Sequence, residues 1–269
     1  MSANLYIVPH DLTDLGDKTL ENTILLGRRR HTAILLLHLV DKENKIEKAQ
    51  AHLKNVVANS IWKEGDPEIK IKVTVGNIFE DIGRISEEND ARLVVMGTHG
   101  LKGMQKIMGS YAIKVVTSTS TPFLVVQDRV VYEPITKVVV PIDLTKESLQ
   151  IINYAADLAF MFNAEVHIVG EKQTDARLAN QIKIRIALVK KEYEEKNVKN
   201  VITLLGGSGS FQKKVVNYAK EVNAEMFALA YHSESLLPQF DRFAQTLITN
   251  EDKKPCLIIN SEEVSNSYF

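Results

Sequence analysis

The chain is predicted to be an α/β protein of two tandem units, each an open, twisted, parallel five-stranded sheet with helices on both faces. Three observations lead there. First, segments recur at a near-constant offset: "IVPHDLT" at 7–13 returns as "VVPIDLT" at 139–145, pairing Pro9 with Pro141 and Asp11 with Asp143 at 132, while His99 with His232 and Pro122 with Pro255 give 133. An offset held across separated segments marks a duplicated unit. Second, the hydrophobic period switches repeatedly between continuous apolar runs and spacings of three and four, the pattern of alternating strands and helices. Third, 269 residues with 45% hydrophobic content can bury a substantial core and suit one large domain or two of about 130 residues.

The elements follow in order. In the first copy "LYIVP" (5–9), "AILLLHLV" (33–40), "RLVVMG" (92–97) and "FLVVQ" (123–127) are apolar runs and "IKIKVTV" (69–75) alternates. These predict five strands, most buried on both faces. Between them Ile46, Ala49, Leu53, Val56, Val57, Ser60 and Ile61 recur at helical spacing, as do Ile78, Ile82 and Ile85, then Ala112, Val115 and Thr119, each set giving one apolar stripe. The second copy repeats the order, with strands near 137–141, 164–169, 200–205, 225–230 and 256–260. "QDRVVYEPIT" (127–136), with Pro134 and mixed charges, predicts an exposed connection and hence domains at 1–132 and 133–269. Parallel strands with right-handed crossovers place ligands at the carboxyl ends of the strands.

Composition narrows the function classes. Lys and Arg number 33 and Asp and Glu 34, a formal charge of −1, so no broad field gathers nucleic acid or anionic lipid. The single cysteine, Cys256, rules out an internal disulfide and a multi-cysteine zinc site. "MSANLYIVPHDLTD" lacks the pattern of a secretory leader and no apolar run is long enough to span a bilayer, so a cytoplasmic protein is expected.

The stretch "VVMGTHGLKGMQKIMGSYAIKVV" (94–116) holds Gly97, Gly100, Gly103 and Gly109, closed by Ser110. Gly97 ends a predicted strand and Ser110 opens a predicted helix. Glycine lets an anion approach the backbone, and the free amides of a helix start attract negative charge. The competing possibility is a connection in which Ser110 is only a helix cap. No G-x-x-x-x-G-K-[ST] is present, and the glycines do not follow the first strand as a dinucleotide fingerprint requires.

The order Pro9-His10-Asp11, then Leu37-His38-Leu39-Val40-Asp41, then Gly97-Thr98-His99-Gly100 with Gly109-Ser110, and finally Thr121-Pro122-Phe123-Leu124-Val125-Val126 resembles the universal stress protein (UspA) family, here as a tandem pair of Rossmann-like, adenine-nucleotide-binding domains. ATP-binding members resemble G-x-x-G-x(9)-G-[ST]; this chain has eight residues, 101–108, in the spacer. The resemblance implies ATP or a related adenine nucleotide, with Mg²⁺ on the phosphates and at most slow hydrolysis. It places Asp11 and Pro9 on the adenosine side, the backbone near Leu39 at the adenine edge, Gly100, Gly109 and Ser110 at the phosphates, and Met96, Gly97, His99 and Tyr111 in the same site. His99 is as readily a backbone-bonding residue, and Asp11 as readily a turn residue.

In the second copy Gly97 becomes Ala230, Gly100 becomes Ser233, Gly109 becomes Arg242 and Ser110 becomes Phe243. A phosphate cradle is therefore expected only in the first copy, and one candidate site per chain. "GGSGS" (206–210) reads as a flexible connection, "RRR" (28–30) as the end of the first helix, Cys256 as an inert core residue, and "VKKEYEEKNVKN" (189–200) as a solvated helix end. The apolar last strands call for edge pairing, so the two copies are expected to form a pseudo-dimer, with further self-association open. The alternative function is an interaction module without nucleotide, and a weaker third is an enzyme acting on an adenylated substrate.

Overall fold

The computed structural model describes residues 4–98, 109–129, 134–232 and 238–261, with only the backbone of 109–111, 232 and 238–241. The chain divides into two compact units, one formed mainly by residues 1–133 and the other mainly by the rest. Each alternates five strands with four helices.

In the first unit β1 (Leu5–Pro9), α1 (Asp14–Arg30), β2 (Ala33–Val40), α2 (Ile46–Asn59), β3 (Ile69–Val75), α3 (Ile78–Glu88), β4 (Leu93–Gly97), α4 (Gly109–Val116) and β5 (Phe123–Val126) follow in turn. The strands lie in the order β3-β2-β1-β4-β5, all paired parallel. The apolar runs became the strands expected, because a strand covered by helices on both faces needs apolar side chains on both. Ile7, Val8, Val94, Val95 and Phe123 have no exposed surface. β3, at the edge of this order, alternates half-buried and exposed positions, which is why its sequence alternates. In α2 the stripe buries Ala49, Leu53 and Val56.

Helix ends follow local chemistry. Asn77 caps α3 by accepting from the Phe79 amide at 3.0 Å. α1 ends on Arg28, Arg29 and Arg30, as expected, and closes with His31 in the left-handed region. Arg28 does more than complement the helix dipole: its guanidinium donates to both oxygens of Asp66, at 2.8 and 2.7 Å, and to the Ile61 carbonyl. This ties the end of α1 to the loop before β3, and the arginine beside it holds the Asp66 carboxyl below its usual range.

The second unit repeats the plan. It contains β6 (Lys137–Ile142), α5 (Ile151–Phe162), β7 (Glu165–Glu171), α6 (Ala176–Glu195), β8 (Asn200–Leu205), α7 (Phe211–Glu221), β9 (Met226–His232), α8 (Pro238–Ile248) and β10 (Cys256–Ser261). Its order is β10-β9-β6-β7-β8, again parallel. Cys256 is fully buried, and burial pushes its thiol pKa up, which suits the inert role expected of it. The 189–200 stretch differs from expectation. Its charges pair at helical spacing on the surface, Lys190 with Glu194 and Lys191 with Glu195, but Val189 and Tyr193 are fully buried. The segment is an amphipathic helix flank, not a solvated end. Among the described residues no helix is long and apolar enough to cross a membrane.

Candidate functional site

In the first unit the strand order reverses between β1 and β4, the switch point where open α/β sheets hold ligands. A crevice of about 190 Å³ opens there. Pro9, Leu37, Leu39, Met96 and Gly97 line it from the strand ends, Leu15, Gly16 and Thr19 from α1, Ile78 and Ile82 from α3, and Val115 from α4. His10, Asp11 and His38 join Thr19 as its polar members.

The segment after β1 is built from its own side chains. The His10 amide donates to the Leu37 carbonyl at 2.8 Å, extending the ladder by one residue. The chain then turns with Leu12 at a φ of 62°. Asp11 Oδ1 accepts from the Thr13 amide at 3.2 Å and from its hydroxyl at 2.5 Å. Asp11 is thus a turn residue, and its Oδ2 carries no further bond among the described residues, which leaves an acceptor at the crevice.

His10, which the sequence reading did not assign to the site, organises this corner. Its Nδ1 accepts from the Leu12 amide at 3.0 Å, so the ring hydrogen sits on Nε2 and is donated to Asp17 Oδ1 at 3.0 Å. The ring lies against α1 so closely that a Cβ on Gly16 would fall 2.7 Å from its Cε1. His38 Nδ1 donates to the His10 carbonyl at 2.7 Å. The signal for this role was present as His10, Gly16 and Asp17, a ring, a space for it and its acceptor, but only the fold brings them together.

Burial pulls the His10 pKa below its ordinary value of 6.5, with His38 acting in the same direction and Asp17 and Asp11 opposing. His167 in the second unit is lowered likewise, by burial first and by Lys137, against Glu165; it is held between the Tyr218 hydroxyl and Glu165 at 2.9 Å each. A histidine with a depressed folded pKa binds its proton more readily in the unfolded chain. Its contribution is therefore complete above 6.5 and is lost as pH falls toward the folded value. Denaturant unfolding should show both units losing stability between pH 7 and pH 5, by at most about 1.4 kcal/mol per pH unit for each histidine. A flat or rising profile over that range would contradict the burial argument.

Gly97 closes β4, pairing with Val126. A Cβ there would lie 2.5 Å from Thr19 Oγ1 and 2.8 Å from Leu15 Cγ, so its bare backbone lets α1 approach the sheet. Five of the ten expected site residues, Pro9, Asp11, Leu39, Met96 and Gly97, come together in the crevice. Gly109, Ser110 and Tyr111 form the first turn of α4. His99 and Gly100 lie outside the described residues.

The second unit carries a crevice at its own switch point, of about 450 Å³. One candidate site per chain was expected, on the loss of the glycines, yet the cavity is larger here. Asp143 repeats the turn of Asp11, accepting at Oδ1 from the Thr145 amide at 2.7 Å and hydroxyl at 2.5 Å, and Arg185 of α6 donates to the Leu144 and Thr145 carbonyls. "GGSGS" turns with Gly207 and Gly209 at φ of 87° and 101° and delivers Ser210 to the crevice as the residue before α7.

Sheet order, crevice position and the turn after the first strand define a doubly wound α/β protein with a crevice at each strand-order reversal. Residues 6–127, within the N-terminal unit, match the model of the Universal stress protein family. The chain is similar to a universal stress protein of Methanocaldococcus jannaschii, 21% identical over 152 residues that cover 46% of this chain and 94% of that protein. Among solved structures, a universal stress protein from Archaeoglobus fulgidus superposes with a TM-score of 0.70 at 16% identity, covering 97% of this chain and 99% of that one. A protein of unknown function from Pseudomonas aeruginosa gives 0.64 at 14% identity, covering 97% and 93%. At these identities the structural likenesses speak for the fold.

Proposed function

We propose that this is a cytoplasmic universal stress protein that binds ATP or a related adenine nucleotide in its N-terminal domain, residues 1–132, and acts as a sensor or regulator. One observation carries the proposal: residues named from the sequence on both sides of the switch point line a single crevice there. At about 190 Å³ it is smaller than the roughly 300–1,000 Å³ usual for whole ligands, so it takes the base and leaves ribose and phosphates at its mouth. The apolar side chains stack on the base, and Asp11 Oδ2 accepts from a ribose hydroxyl or an amino group. The start of α4 at Gly109 supplies backbone amides to the phosphates, with His99, Gly100, Ser110 and Tyr111 beside them. Mg²⁺ rides on the phosphates and hydrolysis is at most slow. The second domain, residues 133–269, lacks the glycine loop. The two domains pair as an intrachain pseudo-dimer and are open to homo-oligomerisation.

Freshly purified protein should release nucleotide on denaturation. In a titration, Gly109→Arg, which imitates the second copy, should weaken ATP at least tenfold from a micromolar Kd, about 1.4 kcal/mol or more. No released nucleotide and identical titrations would favour the alternative, a non-nucleotide interaction module. That second reading draws on Tyr154, Phe160, Ile184 and Leu188 of α5 and α6, large apolar side chains exposed on the second unit.

A further inference from the structure

The crevice of the second unit stands where that of the first does, but its chemistry has changed. Through the repeat, Ile78 is replaced by Phe211, Gly109 by Arg242 and Ser110 by Phe243, and strand register sets Glu171 where the first unit has Leu39. The Phe211 and Phe243 rings stack with centroids 5.6 Å apart and planes 24° from parallel. They give the cavity an aromatic wall where the first unit has aliphatic side chains and a glycine loop. Asp143, Glu147 and Glu171 line the same cavity, and Arg242 is the one lysine or arginine among the described residues that does so. Glu171 accepts from Lys214 Nζ at 2.9 Å, and Asp143 spends only Oδ1 on its turn.

With Glu171 set against Lys214, the carboxylates of Asp143 and Glu147 still outnumber the one guanidinium that lines the cavity, a poor home for phosphates. Bringing a polyphosphate beside them adds like-charge repulsion in a partly enclosed space, where screening is weak. Asp143 Oδ2 is an acceptor that a hydroxyl or amino group satisfies, and the aromatic wall favours a ring, the more so one bearing positive charge. The volume of about 450 Å³ lies within the range for small ligands. We propose that the second unit binds a ring-bearing molecule of nucleoside size that carries hydroxyl or amino donors and no phosphate. This inference does not depend on nucleotide occupying the first unit.

The test uses the full chain carrying Leu39→Trp, whose indole fills the smaller crevice, so that binding reports on the second unit. Adenosine, tyramine and ATP are titrated by calorimetry. Adenosine, tyramine or both should bind with a Kd below about 1 mM, and ATP should bind at least tenfold more weakly than the better of them. Adenosine alone would identify a nucleoside, tyramine alone an amine. Asp143→Asn retains an oxygen for the Thr145 turn but turns the second acceptor into a donor, and should weaken the bound probe at least tenfold. Glu171→Gln, which keeps shape and removes charge, is the second variant, expected to weaken it at least threefold should Asp143→Asn unfold the unit. The proposal is overturned by absence of binding of both probes, by ATP binding as tightly as they do, or by affinities that a folded variant leaves unchanged. The ATP titration of the unsubstituted chain against Gly109→Arg is a separate measurement, so either reading can fail alone.

Discussion

Gly97→Val is expected to destabilise the N-terminal unit by about 2–3 kcal/mol, the upper part of the range for overpacking a core, and to abolish ligand binding in its crevice. The first atom of any side chain there lies 2.5 Å from Thr19 Oγ1 and 2.8 Å from Leu15 Cγ. Neither neighbour yields easily. Thr19 is fully buried and its hydroxyl donates to the Leu15 carbonyl at 2.7 Å, so the two are fastened to each other. Gly97 is itself held in register with Val126. The strain is relieved only by lifting α1 away from β4, and α1 is a wall of the crevice. The N-terminal unfolding transition in urea should move to lower denaturant while the C-terminal transition stays in place. An unchanged N-terminal midpoint would mean that α1 is not closely seated on β4.

Tyr193→Ala should cost the C-terminal unit about 3–5 kcal/mol, as removal of a large buried ring does. Tyr193 has no exposed surface, and its hydroxyl donates to the Ile152 carbonyl at 3.1 Å, joining α6 to α5. It continues the buried stripe of Ile182, Ile186 and Val189 along α6. Tyr193→Phe keeps the ring and removes only the hydrogen bond, so it should cost about 1 kcal/mol. The difference between the two variants, read as C-terminal unfolding in urea, separates packing from polar contact. Equal effects would place the weight on the hydroxyl instead.

How much was legible in the sequence follows from how local each signal is. The strands of the first unit stood out because both faces of β1, β2, β4 and β5 are covered, which demands continuous apolar runs. The helical stripes of α2 and α3 emerged at their spacing for the same reason, one face turned to the core. Tyr193 was obscured because the stretch around it is mostly charged, and an average over composition hides a buried position that recurs once per turn.

The sequence by itself determined the duplicated α/β plan and the residues that gather at the first switch point, since both follow from side-chain patterning along the chain. Only the tertiary structure decided what those residues do for one another. Gly97, read as open backbone for an anion, is also the space into which Leu15 and Thr19 pack; Asp11 is half turn and half acceptor; His10 became a hub by meeting Gly16 and Asp17. The larger cavity of the second unit was decided there too. Replacing Gly109 by Arg242 and Ser110 by Phe243 led to the expectation of no site there, but a cavity's volume depends on where two helices set their side chains, and residue size along the sequence does not specify that.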